Sequence, residues 1–301
     1  MKQKIFSTTI LFLTAAIWGF AFVAQVDAVD YLGSFAINGL RYPIAVVAVL
    51  PVMLIFERGR MDKEERRRTV IASIAAGSVL FAATNLQQIG IEYTGSAGVS
   101  GFITGLYTVL VPIGCFLLFK HKTSVNVWIG AVCAAVGLFL LCYRFEEGLF
   151  FGKGEIFLLI GALFWTAHVI VIDRLGKNLR SLHFAWGQFV VCAALSATLM
   201  FCFDRPTVEG IVNAKWSLLY CGVLSSAVAY SLQVIGQKRS DPAFAAIIFS
   251  TESLFSAIGG AIFGIDSISW LGYIGCALMF VGIVVSQLNF KKKISEGIDG
   301  L

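Results

Sequence analysis

The chain of 301 residues is 58% hydrophobic and 14% charged, with a mean hydropathy of +0.83. Ordinary globular proteins carry about 25% charged residues, so this composition excludes a disordered chain, a nucleic-acid binder and most cytosolic enzymes. A net charge of +5 acquires meaning only through where the positive residues sit. The seven cysteines (Cys115, Cys133, Cys142, Cys192, Cys202, Cys221, Cys276) are odd in number, lack C-x-x-C spacing and fall inside apolar runs. They read as small hydrophobes and not as a disulfide framework or metal site.

A helix needs about 20 apolar residues to cross the hydrocarbon core, because lipid offers its backbone no hydrogen-bond partner. In chain order, such stretches run near Ile5 to Ala24, Ser34 to Phe56, Thr69 to Gly90, Ser96 to Phe119 and Val125 to Cys142. They continue near Gly154 to Ile172, Leu182 to Phe203, Trp216 to Gln237, Ala243 to Phe263 and Trp270 to Leu288. The expectation is an all-α membrane protein of ten transmembrane helices. Lys2 and Lys4 ahead of the first run resemble a signal peptide, but the run's length and its repeat partner favour a retained helix.

Positive charge tests this segmentation, since flanking Lys and Arg stay on the cytoplasmic side. With the N-terminus inside, the outer segments hold only Arg144, Lys153, Arg205 and Lys215, and Arg41 lies within the second helix. The inner segments hold 18 of the 23 Lys and Arg. Both termini are therefore expected on the cytoplasmic side. The run from Arg58 to Arg68 mixes basic with acidic residues and reads as a topology anchor, not a lipid-binding site.

The chain is also written twice. A shift of about 146 residues lays LQQIG at 86–90 on LQVIG at 232–236. The same shift, drifting between 145 and 147, lays Trp18 on Trp165, Arg41 on Gln188, and Gly130 with Gly137 on Gly275 with Gly282. The repeats occupy residues 5–142 and 154–288, followed by a basic cytoplasmic tail over 289–301. Five helices per copy is odd, so the copies enter the membrane from opposite sides. That makes two inverted five-helix repeats, an arrangement common among alternating-access carriers.

Glu252 is the strongest single signal, about ten residues into a ninth helix that starts near Ala243. An ionised carboxylate at that depth costs about 2.5 to 3.5 kcal/mol, so it is expected to face the interior and to carry a proton or meet a cation. A structural acid bonded to a neighbouring helix is the alternative. Arg41 lies about seven residues from the outer end of its helix, where snorkelling or an ion pair is the expected state. A contact to a substrate carboxylate or an outer gate is its functional alternative. His168, one turn from Trp165, is a second candidate proton carrier, because imidazole titrates near neutrality.

Trp128, Trp216 and Trp270 stand at helix ends, where the amphipathic indole prefers the interface. Trp18, Trp165 and Tyr107 are central and candidate walls of a cavity for an aromatic, amphipathic or cationic substrate. Asn85 and Gln88 share one face of the third helix, and Tyr230 and Gln233 one face of the eighth. Amides in lipid-embedded helices require partners in a neighbouring helix or a wet cavity. Gln87 and Gln233 are repeat mates and candidate gates at opposite ends of the path, and Gln188 joins them and Arg41 as a gating or structural polar group. Ala97, Gly101 and Gly105, and likewise Ser256, Gly260 and Gly264, form small-residue ladders for close packing.

The residues together resemble the EamA branch of the drug/metabolite transporter superfamily over about 8–290. The carriers of the resemblance are Trp18-Gly19, Arg41-Tyr42, the stretch Tyr93 to Pro112, the glycine pairs at 130/137 and 275/282, and Leu232 to Gly264. It implies ten helices in two inverted repeats and a secondary active transporter, in a bacterial-type inner membrane, that usually exports amino acids or similar metabolites. The family often has Pro after the acid of the ninth helix, where this chain has Ser253. It often ends the fourth and ninth helices with Glu, where Lys120 and Asp266 stand here.

The expected function is alternating access for a small organic solute, proton-coupled through Glu252, with the bilayer, a small-molecule substrate and protons as partners. A carrier of choline-like or other cationic compounds is the alternative. An intramembrane enzyme needs a nucleophile and base, a metal cluster or paired acids at depth. Here there is one deep carboxylate, three scattered histidines (His121, His168, His183) and no H-E-x-x-H, so neither enzyme activity nor a cofactor is expected. Oligomeric state is left open.

Overall fold

The computed structural model describes residues 2–119, 125–144, 148–149, 152–238, 245, 248–249, 251–266 and 268–287. The first half contains α1 (Lys2–Val29), α2 (Ser34–Phe56), α3 (Lys63–Thr94), α4 (Ala97–Gly105), α5 (Tyr107–Phe119) and α6 (Val125–Cys142). A two-residue antiparallel pairing follows, Tyr143 opposite Leu149 and Arg144 opposite Gly148. The second half contains α7 (Lys153–Leu175), α8 (Ser181–Leu199) with a π turn at Met200–Asp204, and the short α9 (Val208–Asn213) and α10 (Lys215–Leu219). A π segment (Tyr220–Ala229), α11 (Tyr230–Gln237), α12 (Thr251–Ile262) and α13 (Trp270–Gln287) complete it.

Among the described residues, seven helical stretches are long and apolar enough to cross a membrane, and Trp128–Leu140 and Trp270–Val285 are shorter apolar helices. The expected ninth span begins in residues outside the described set. So do the tail over 289–301 and the side chains of Lys120 and His121. The fourth expected span is two helices, because the α-helical pattern breaks at Leu106, whose N–H reaches only to Ile103 O (3.2 Å). The eighth is α10, a π segment and α11 in succession. Helix α3 starts one and a half turns before the apolar run, since Asp62 caps it by accepting from Glu65 N at 2.7 Å and Glu64 and Glu65 favour its positive end.

Glycines set the closest approaches. A Cβ on Gly137 would lie 2.6 Å from Gly275 O, and one on Gly282 would lie 2.7 Å from Gly130 O. Helices α6 and α13 thus touch backbone to backbone and run antiparallel. Gly77 meets Val191 and Gln188 O on α8, and Gly222 meets Ile44 and Arg41 O on α2. Gly90 faces Leu158, and Gly236 faces Leu11. In each case the second contact joins the counterparts of the first at the 145–147 shift. One ladder is shorter than expected: Gly101 and Gly105 do pack against Ser256 and Ser253, but Gly264 lies past the end of α12 at φ +67°, where it terminates the helix and packs against nothing within 4 Å.

Acidic side chains tie the helix ends together, each satisfying amides that a helix start leaves unpaired. Asp204 accepts from Ala36 N (2.7 Å) at the start of α2. Its counterpart Glu57 accepts from Leu182 N (3.1 Å) and His183 N (3.0 Å) at the start of α8. Asp266 accepts from Ser96 Oγ (2.6 Å) and Gly98 N (2.8 Å) at the start of α4. Beside Glu57, His183 Nδ1 stands 2.8 Å from Oε2 and Arg180 pairs with Glu65 at 2.9 Å. Burial acts to raise the Glu57 carboxyl, and the hydrogen bonds from the His183 ring and from the Leu182 and His183 amides overcome it, holding the group below its ordinary value.

Candidate functional site

Side chains of α1, α3, α4, α5, α7, α11 and α12 converge on one interior cavity lined by Trp18, Phe22, Gln25, Gln87, Thr104, Tyr107, Trp165, Tyr230 and Glu252. Its free space is about 20 Å³, room for about one water molecule. Any organic solute therefore requires the walls to part.

The aromatic wall is continuous. Tyr230 stands between the repeat mates Trp18 (ring centroids 4.8 Å) and Trp165 (6.0 Å, interplanar 10°), and Phe249 backs Trp18 at 5.5 Å. Each indole N–H is satisfied, as buried Trp requires, but by different means. Trp165 Nε1 donates to Gln87 Oε1 at 2.7 Å. Trp18 Nε1 donates to Ser225 O at 3.1 Å, a carbonyl offered by the π segment. Wide π turns recur at functional sites.

Glu252 is 7% exposed, and Tyr107 Oη donates to its Oε2 at 3.3 Å. It stands in the first turn of α12, and the stretch from Ala243 used to judge its depth lies mostly outside the described residues. Tyr107 and Thr104 flank the break at Leu106, so the interruption brings a hydroxyl pair into the cavity, and Thr104 Oγ1 is buried with no partner among the described residues.

Arg41 does not snorkel. It is 2% exposed, its Nη1 donates to Gln25 Oε1 at 2.8 Å and its Nη2 to Tyr42 Oη at 3.1 Å. No carboxylate among the described residues lies within ion-pair distance of it. The length of the side chain allows it to reach outward, but Gln25 and Tyr42 meet the guanidinium inside the fold. A buried charge thus sits one side chain behind the cavity wall.

Five of the expected residues line the cavity: Trp18, Tyr107, Trp165, Tyr230 and Glu252. Gln87, expected as a gate, lies in the same wall, and its repeat mate Gln233 is buried away from the cavity with Oε1 unpartnered among the described residues. Asn85 faces the other way, accepting from Asn38 Nδ2 (3.2 Å) and donating to Phe81 O (2.8 Å). Gln88 reaches only Gln25 O, at 3.5 Å. His168 is not a wall residue. Its Nε2 lies 3.0 Å from Gln188 Oε1, and its ring lies edge-on to Trp165 and Tyr230.

Phe22, Gln25 and Thr104 are wall residues that the sequence reading missed. Helical spacing holds the signal for all three: positions 18, 22 and 25 share a face of α1, and Thr104 lies three residues before Tyr107.

The chain is 28% identical over 287 residues to an "Uncharacterized transporter" of Archaeoglobus fulgidus, covering 95% of this chain and 87% of that protein. It is 22% identical over 285 residues to "Uncharacterized transporter YoaV" of Bacillus subtilis, covering 92% and 95%. A solved crystal structure at 19% identity superposes with a TM-score of 0.71 over 94% of this chain and 98% of that one, which establishes the fold alone. The EamA-like transporter family matches residues 6–143 and 152–288. The chain belongs to the EamA-like transporter family.

Proposed function

We propose that the protein is a secondary carrier of the inner membrane that moves a small organic metabolite, an amino acid or a similar zwitterion, by alternating access. The observation that carries this reading is the cavity in which Glu252 meets Tyr107 beside three contiguous aromatic rings. A substrate ammonium fits between Glu252 and the ring faces, where carboxylate and quadrupole both attract it. A substrate carboxylate fits toward Gln25, whose carbonyl oxygen is held by Arg41 and whose charge partner is therefore within one side chain.

Alternating access through two inverted five-helix repeats is supported by the exchanged contacts. When a–b′ is matched by a′–b, the two copies are related as partners across a two-fold axis. Gly137–Gly275 with Gly282–Gly130, Gly77–Gln188 with Gly222–Arg41, and Glu57 on α8 with Asp204 on α2 all follow this rule. With an odd number of helices per copy, such an axis lies in the membrane plane. The excess of Lys and Arg on one set of loops supports ten spans with both termini cytoplasmic.

Proton coupling is assigned to Glu252. Purified protein is reconstituted and uptake of a panel of amino acids is measured with and without an imposed pH gradient. The wild type is expected to respond to the gradient, and Glu252→Gln to lose that response while still exchanging substrate. Undiminished coupling in the variant would remove Glu252 from the mechanism. A choline-like cation is the second reading, favoured by the Trp18–Tyr230–Trp165 aromatic wall next to a carboxylate, and competition between the two ligand classes separates them.

A further inference from the structure

A second cavity, of about 340 Å³, lies away from the central site between the first turns of α3 and α8. Its walls are almost wholly apolar, with Met53, Ile74, Trp186 and Val190 among them, and Arg66 stands on its rim. From Arg66 to Ile74 the groove follows α3 for about 12 Å at 1.5 Å per residue. That is close to half of a hydrocarbon core about 30 Å thick, or one leaflet.

The charges beside the rim are unbalanced in a way that a residue count conceals. All four acids of this segment are committed: Glu57 to the start of α8 and His183, Asp62 to the cap of α3, Glu64 to Arg68 and Arg67, and Glu65 to Arg180. Among the described residues, Arg58, Arg60, Lys63 and Arg66 have no carboxylate within ion-pair distance. An apolar trough about one leaflet deep therefore opens beside Arg66, a cation with no carboxylate partner among the described residues.

We infer that this groove binds an anionic phospholipid, an acyl chain lying along Ile74, Trp186 and Val190 and the phosphate meeting Arg66. The hydrocarbon supplies contact without specificity. The headgroup charge supplies the selection, since juxtamembrane basic residues attract anionic lipid individually. The site is independent of the transported solute.

Trp186 provides the test. Wild type and Trp186→Phe are reconstituted in phosphatidylcholine containing a minor fraction of brominated phosphatidylglycerol or brominated phosphatidylcholine, and the difference in fluorescence isolates Trp186. The brominated anionic lipid is expected to quench that component more strongly than its zwitterionic equivalent, with an apparent affinity about fivefold lower in Arg66→Gln. Native mass spectrometry supplies a readout that does not depend on Trp186: retained phosphatidylglycerol falls in Arg66→Gln and phosphatidylcholine is not retained. Equal quenching by both lipids, or unchanged anionic-lipid retention in Arg66→Gln, overturns the inference.

Discussion

Tyr107 donates its phenolic hydrogen to Glu252 across the central cavity, and the two residues are 145 positions apart. The same interval separates Gly130 from Gly275 and Gly137 from Gly282. Counterpart positions of the two halves thus touch each other at the site.

If Tyr107 holds Glu252 in place, Tyr107→Phe leaves a buried carboxyl without its hydroxyl donor. A net hydrogen bond is worth about 0.5–1.5 kcal/mol, so transport is expected to slow roughly threefold to tenfold with the fold retained. Initial rates in proteoliposomes, read beside a melting curve, check this. An unchanged rate would make the contact incidental.

The α6–α13 contact leaves no room for a methyl group, because the obstacle at Gly137 is a backbone carbonyl at 2.6 Å. At Gly114 the nearest atom is the flexible end of Ile170, at 3.3 Å. Gly137→Ala is therefore expected to cost about 1–3 kcal/mol, the usual range for overpacking, and Gly114→Ala little. Thermal unfolding in detergent ranks the two, and equal melting temperatures would contradict the packing described.

The Glu57 carboxyl is held below its ordinary value by His183 and two amides. A depressed carboxylate stabilises the fold above its unfolded-state value and loses that contribution as the pH falls through the lower folded-state value. The wild type is expected to lose melting temperature in that acid window, and Glu57→Gln to show a shallower loss from a lower starting point. Melting curves at successive pH values measure both slopes. A parallel pair of curves would show that Glu57 contributes nothing to the acid limb.

Much of the wall was legible because its residues stand out against lipid. A Trp in the middle of an apolar run, a lone Glu and a Tyr three residues after Thr104 are conspicuous where most neighbours are aliphatic. Gln25 and Phe22 escaped because helical spacing puts them on the face of Trp18 without separating a wall residue from ordinary packing. Arg41 escaped for a different reason: its side chain is long enough to reach either the interface or the interior, and only Gln25 and Tyr42, presented by the fold, decide between them.

Sequence alone determined that the chain is helical, membrane-embedded and duplicated, because lipid forbids unpaired backbone and a repeat needs only self-similarity to be seen. The tertiary structure decided which amide meets which indole, that the fourth span breaks at Leu106, and that Glu57 and Asp204 each finish a helix from the other half. The pairings among them join residues some 80 to 170 positions apart. Such distances are set by how the helices pack and not by any periodicity within one of them.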